Sequence, residues 1–155
     1  MIIVFYGQPH SGKTTLAQAL QKSLFLSGQV TPPVIDGDEI REIFKNKDFS
    51  REGRIKNLNR ISDISTYLHT KYDVVIISAV YPIKEAREYL NSICDKVLWV
   101  YLTYDEIRGR ENYHVKDFDT QDNENSFNIS LNTSKVSIEE CNNQVLNKMV
   151  SLSFE

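Results

Sequence analysis

The segment Gly7-Gln8-Pro9-His10-Ser11-Gly12-Lys13-Thr14 constrains this chain more than any other. It fits G-x-x-x-x-G-K-[ST] and lies between a β-branched and aromatic run, Ile2 to Tyr6, and an amphipathic segment, Thr14 to Ser27, whose apolar stripe is Leu16, Ala19, Leu20 and Leu24. A glycine-rich loop between a buried strand and a helix start aims backbone N–H groups, and the positive end of the helix, at phosphates. Lys13 is expected to reach the β- and γ-phosphates of ATP, and the Thr14 hydroxyl to ligate Mg²⁺. Gly7, Gln8, Pro9, His10, Ser11, Gly12 and the following Thr15 complete the expected ATP-binding loop. His10 is read as a tolerated loop residue near the nucleotide, not as a catalytic group.

The rest of the chain alternates strand-like and helix-like segments, the βα rhythm of a parallel sheet covered on both faces. Val34 and Ile35 predict a brief strand ending at Asp36, and Asp38 is expected to cap a short helix through about Lys45. Ser50-x-x-Gly53 opens a longer helix to about Thr70. Tyr72 to Ser78 reads as a buried strand, Ile83 to Ile93 as a helix and Lys96 to Leu102 as a strand. A helix is expected from Asp105 to about Tyr113, and a polar loop from Asp117 to Asn128. A short strand, Ile129 to Leu131, precedes a closing helix from Ser137 to Val150. The expected fold is α/β, of the P-loop nucleoside-triphosphate hydrolase and kinase type. It has about five parallel strands with helices on both faces. The 155 residues suit one domain, 1–155, with a lid region at about 104–128.

Composition limits the function. A net charge of −3 argues against a protein that coats nucleic acid. The two cysteines, Cys94 and Cys141, form neither a CxxC pair nor a metal-ligand run. No apolar run approaches the roughly 20 residues of a membrane span. The N-terminal stretch has no basic region before its apolar residues, so no signal peptide and no membrane partner are expected, and the protein is read as cytoplasmic.

Among nucleotide users, a GTPase should carry N-K-x-D, which Asn132-Thr133-Ser134-Lys135 does not match. The strand through Val74 to Ile77 ends in Ser78 rather than in the acidic residue of a motor ATPase. The carboxylates stand instead at the end of the second strand, in Asp36-Gly37-Asp38. In a doubly wound sheet that strand end shares an edge with the phosphate loop. Asp36 there is a candidate to hold Mg²⁺, and Asp38 to accept a proton from an acceptor hydroxyl. With Lys13 they are the candidate catalytic residues of a small-molecule kinase.

Three further segments, in order, resemble the adenylylsulfate kinase family. The family's D-G-D-N-x-R appears as Asp36-Gly37-Asp38-Glu39-Ile40-Arg41. Its F-S-x-x-D-R-x-x-N-I-x-R appears as Phe49-Ser50-Arg51-Glu52-Gly53-Arg54-Ile55-Lys56-Asn57-Leu58-Asn59-Arg60. Its S-x-I-S-P-x-x-x-x-R appears as Ser78-Ala79-Val80-Tyr81-Pro82-Ile83-Lys84-Glu85-Ala86-Arg87. Lys116-Asp117-Phe118 is similar to its K-N-F. The resemblance implies transfer of the ATP γ-phosphoryl group to the 3′-hydroxyl of adenosine 5′-phosphosulfate. It implies that Phe49 and Phe118 sandwich the acceptor adenine, that Arg41 and Arg54 grip the phosphosulfate, and that Asn57 and Asp38 complete the acceptor site. A homodimer is a further implication.

The chain also departs from the family. The basic K-G-L-Y-K-K-A-R lid run is replaced by Arg108-Gly109-Arg110-Glu111-Asn112-Tyr113-His114-Val115-Lys116, where Arg108 and Arg110 are the candidates to reach ATP. Tyr81 stands where the family has serine, and Glu39 where it has asparagine. Two other readings therefore stay open. One is a related kinase with another hydroxyl acceptor; the other is a regulatory protein that binds nucleotide and transfers nothing.

Overall fold

The computed structural model describes residues 1–105, 114–119 and 128–155. Five strands form one sheet in the order β2-β3-β1-β4-β5. They are β1 (Ile2–Gly7), β2 (Val34–Asp36), β3 (Val75–Ser78), β4 (Val97–Thr103) and β5 (Ile129–Asn132). Every neighbouring pair is parallel. The helices are α1 (Lys13–Leu26), α2 (Gly37–Ile43), α3 (Arg51–His69), α4 (Lys84–Ile93) and α5 (Ile138–Ser153).

The alternation of side chains along a strand divides β1 between two cores. Ile2, Val4 and Tyr6 face Ile40, Leu58, Ile61, Ala86 and Leu90 of α2, α3 and α4. Ile3 and Phe5 face Leu16, Leu20 and Leu24 of α1 and Cys141, Val145 and Met149 of α5. A strand covered on both sides must be apolar throughout, which is why Ile2 to Tyr6 carries no polar alternation. α1 closes with a glycine in the left-handed region, Gly28 (φ 86°), whose N–H donates to Phe25 O at 3.0 Å.

Two boundaries differ from the sequence reading. β3 begins at Val75, not Tyr72, because the Lys71 and Tyr72 N–H groups both donate to Leu68 O and extend the turn after α3. The cap of α2 is Asp36, not Asp38. Its side chain accepts from the Asp38 and Glu39 N–H groups, so Asp38 already lies inside the helix. The Ser50 cap of α3 is as expected, accepting the Gly53 N–H at 3.2 Å. The helix expected over 105–113 and most of the loop expected over 117–128 lie outside the described residues.

Candidate active site

The carboxyl ends of β1, β2 and β3 open onto one cleft of about 820 Å³, at the edge where open parallel sheets bind ligands. The phosphate loop forms one end. Gly7 has φ 151°, and a Cβ there would collide with the Leu102 carbonyl, so only glycine lets β1 turn this close to β4. Gly12 at φ 96° makes the second reversal, at the mouth of α1. Between them His10 also takes a left-handed conformation, at φ 66°. The buried Ser11 is tied down through its carbonyl, which accepts from the Thr133 hydroxyl at 3.0 Å.

Pro9, His10, Gly12, Lys13, Thr14 and Thr15 line the cleft. Lys13 is 9% exposed, and its ammonium donates to Gln8 O at 2.8 Å. Burial pulls its pKa down to about 8, and the nearby carboxylates of Asp38 and Asp36 only partly offset this. The Thr14 hydroxyl lies 3.4 Å from Asp36 Oδ2 and 3.2 Å from the Ser78 hydroxyl. Three hard oxygen donors from three segments thus converge at the helix start. Ser78 belongs to this cluster although the sequence reading gave it no role, only a place at the head of the S-x-I-S-P-like segment and at the end of a central strand.

Gln8 does something the motif does not announce. Its side chain clamps the backbone of Val115, a residue that lines the cleft, donating to its carbonyl and accepting its N–H, both at 2.9 Å. Segment 114–119 is thereby strapped onto the phosphate loop. At its far end Asp119 accepts the Lys84 N–H at 2.9 Å and pairs with Arg51 at 3.2 Å, while the buried Arg87 donates to its carbonyl. These contacts, led by the Lys84 N–H, hold the Asp119 carboxyl below the usual carboxylate range.

The acceptor candidates divide. Asp38, Arg41, Phe49, Arg54 and Asn57 line the same cleft as the phosphate loop. Arg41 is braced by the Asn46 and Asp48 carbonyls and covers the Phe49 ring, its guanidinium carbon 4.3 Å from the centroid. Burial, and next the like charge of Arg54, lower its pKa. Two guanidinium groups facing one space are a standing invitation to an anion. Asn57 donates to Gly37 O at 3.3 Å, and its buried Oδ1 has no hydrogen-bond partner among the described residues. Phe118 is elsewhere: it stacks on Tyr6 and packs at a tilt against Tyr101, with centroids 6.4 and 6.0 Å away, and is not among the residues lining the cleft. Arg108 and Arg110 lie outside the described residues.

Tyr81 is fully buried beside Trp99, with its hydroxyl 2.7 Å from the Ser62 hydroxyl. A phosphoserine at this position is excluded by the side chain itself. No helix among the described residues is long and apolar enough to cross a membrane.

Comparison with known proteins gives a consistent answer. A family model described as adenylylsulphate kinase matches residues 1–117. The adenylyl-sulfate kinase of Chloroflexus aurantiacus is 34% identical over 103 residues, covering 66% of this chain and 55% of that protein. That of Staphylococcus epidermidis is 34% identical over 95 residues, covering 61% and 47%. The chain spans about half the length of the curated relatives it matches. The structure of Mycobacterium tuberculosis APS kinase CysC in complex with AMPPNP and APS superposes with a TM-score of 0.78 at 21% identity, covering 94% of this chain and 95% of that one. Shikimate kinase from Aquifex aeolicus shares the fold more distantly, with a TM-score of 0.59 at 20% identity and 99% coverage of each chain. Matched over its phosphate loop and both central motifs, the chain belongs to the adenylylsulphate kinase family.

Proposed function

We propose that this protein transfers the γ-phosphoryl group of ATP to the 3′-hydroxyl of adenosine 5′-phosphosulfate, giving 3′-phosphoadenosine 5′-phosphosulfate. The observation that carries this reading is one continuous cleft with the phosphate loop at one end and Arg41, Phe49, Arg54 and Asn57 at the other, in a chain of this family.

The residues suit the roles. Lys13 leaves Gln8 O to meet the β- and γ-phosphates, at little cost because that carbonyl can be rehydrated. The Thr14 and Ser78 hydroxyls and Asp36 Oδ2 are the hard oxygen donors that would hold Mg²⁺. Bound there, the ion would neutralise charge on the β- and γ-phosphates. Asp38 lies on the first turn of α2, within the field of Lys13, and takes the acceptor proton late in the transfer. Arg41 and Arg54 hold the phosphosulfate, and Asn57 Oδ1 accepts a hydrogen bond from the acceptor. The purine lies against Phe49, which is 63% exposed. Catalysis then rests on alignment and charge neutralisation rather than on a covalent intermediate. The partners are small molecules, the setting is cytoplasmic, and a homodimer is the working assembly.

A coupled assay with purified protein, ATP, Mg²⁺ and adenosine 5′-phosphosulfate tests this reading. Turnover well above that of Lys13→Ala supports it, and turnover equal to that variant overturns it. The packing of Phe118 against Tyr6 favours one second reading, a kinase of the same fold acting on another hydroxyl acceptor. A strict preference for a non-adenylyl acceptor in a panel of nucleosides and sugars would establish it instead.

A further inference from the structure

The strap 114–119 brings into the cleft a group that neither the phosphate-loop motif nor the acceptor motifs contain. His114 lines the cleft together with Pro9, His10 and Lys13. It is held from two sides. The Gln8 side chain fixes the next residue, Val115, through both of its backbone groups. His114 Nε2 lies 3.2 Å from the Tyr104 hydroxyl, which donates to Pro9 O at 2.9 Å.

The tautomer follows from counting protons. Tyr104 has one hydroxyl hydrogen, and Pro9 O takes it. Nε2 therefore carries a hydrogen and donates to the Tyr104 oxygen. That leaves Nδ1 as the ring nitrogen with a lone pair, and no hydrogen bond engages it among the described residues. A proton added at Nδ1 creates a cation and a second donor while leaving the chain from Nε2 through Tyr104 to the phosphate loop intact.

Charged and titratable groups reach this space from several elements among the described residues. The phosphate loop contributes His10 and Lys13, the end of β2 Asp36, α2 Asp38 and Arg41, and α3 Arg54. The strap also carries the exposed Lys116 and Asp117, which do not line the cleft, and the Tyr104 hydroxyl reaches His114 from just beyond β4. Arg108, Arg110 and Glu111 lie outside the described residues. Among the described residues lining the nucleotide end Lys13 is the one ammonium, at a place where a triphosphate brings several negative charges.

We propose that His114 is a phosphate-facing residue of the nucleotide site, positioned by Gln8 and Tyr104, which takes up a proton from solvent when the ATP polyphosphate binds. This rests on the reading of the cleft as an ATP site and not on the identity of the acceptor.

The test is calorimetry of ATP binding at saturating Mg²⁺, in buffers of different ionisation enthalpy, between about pH 6 and about pH 7, where imidazole groups commonly titrate. The wild-type protein should take up a fraction of a proton per ATP. His114→Gln should lose that uptake and bind ATP roughly three- to tenfold more weakly at about pH 6, with the gap closing by about pH 8. Tyr104→Phe should retain uptake but reduce it, and serves as the second probe if His114→Gln does not fold. Unchanged uptake in His114→Gln, or an affinity gap independent of pH, overturns the proposal. Normal proton-linked ATP binding without turnover of adenosine 5′-phosphosulfate sinks the acceptor reading and leaves this one standing. No ATP binding by the wild-type protein sinks both.

Discussion

Thr14 and Asp36 meet across the carboxyl edge of the sheet, the hydroxyl donating to Oδ2 at 3.4 Å. The other carboxylate oxygen of Asp36 is occupied, accepting the N–H groups of Asp38 at 2.8 Å and Glu39 at 3.3 Å as the cap of α2. One residue thus serves the fold through Oδ1 and the proposed Mg²⁺ site through Oδ2, and substitution can separate the two. Asp36→Asn keeps an oxygen for the cap, so stability should change by less than about 0.5 kcal/mol. It removes the charge, so turnover should fall by about 10²-fold and need more Mg²⁺. Asp36→Ala should lose the same activity and about 1 kcal/mol of stability besides. Denaturant titrations beside Mg²⁺-dependent rates check both; full activity in Asp36→Asn would remove this carboxylate from the site.

Lys13 sets a pH dependence whose sign can be worked out. Its pKa in the folded protein is about 8, below the ordinary lysine value of 10.5, chiefly through burial. Below about pH 8 the folded protein holds a buried ammonium that the unfolded chain would hold in water, a cost to stability. As pH rises from about 8 toward 10.5 the folded state sheds this proton before the unfolded state does, so the cost is relieved. Lys13→Met should therefore stabilise the protein at neutral pH, by about 1–3 kcal/mol, with the gain shrinking above about pH 8. ATP affinity should run the opposite way in the wild-type protein, weakening above about pH 8 as the ammonium is lost. Binding isotherms across pH 7 to 9 check this, and a flat profile would contradict it.

Arg41 and Arg54 should behave differently although both face the cleft. Arg41 ties down the loop before α3 through the Asn46 and Asp48 carbonyls and lies over Phe49. The Arg54 backbone N–H donates to Ser50 O at 2.9 Å, but no hydrogen bond or ion pair engages its side chain among the described residues. Arg54→Ala should raise the KM for adenosine 5′-phosphosulfate by roughly 10- to 100-fold with thermal stability and ATP affinity unchanged. Arg41→Ala should raise it comparably and also lower Tm. Arg54→Lys should recover only part of the loss, since an ammonium cannot offer the planar fork. Equal kinetics in Arg54→Ala and wild type would take the anion site elsewhere.

Local signals made much of this legible. The apolar run Ile2 to Tyr6, the phosphate loop and the stripe of α1 lie within a few residues of one another, and each is the physical cause of the next. Asp36 closes β2 as the sequence reading expects, but which of Asp36 and Asp38 caps α2 depends on where the helix begins, and neighbouring aspartates are nearly equivalent in sequence. Non-local contacts were not legible. Phe118 lies far along the chain from Tyr6, and nothing in its own segment says that it stacks on β1 rather than facing the cleft. The Gln8 clamp on Val115 spans 107 residues. The signal there was weaker still, because a motif that explains Gln8 as a loop residue gives no reason to ask where its amide goes.

Tyr81 offers the sharpest separation of family inheritance from local packing. The family's serine position is here a fully buried aromatic ring in the left-handed region, φ 47°, edge-on to Trp99. Its hydroxyl lies 2.7 Å from that of Ser62, which donates independently to Leu58 O at 3.0 Å. Tyr81→Phe therefore orphans no donor and should cost only about 1 kcal/mol. Tyr81→Ser would restore the family residue yet empty the space beneath Trp99, and should cost about 3–5 kcal/mol. Burial also raises the phenol pKa above its ordinary 10.0. The unfolded chain ionises first above about pH 10, so wild-type stability falls there and that of Tyr81→Phe falls less. Incubation with γ-labelled ATP should leave no label on Tyr81, because its oxygen is buried against Ser62 and Leu58 of α3. A Tyr81→Ser protein that proves as stable as wild type in denaturant would mean that this ring is not what fills the floor of the cleft.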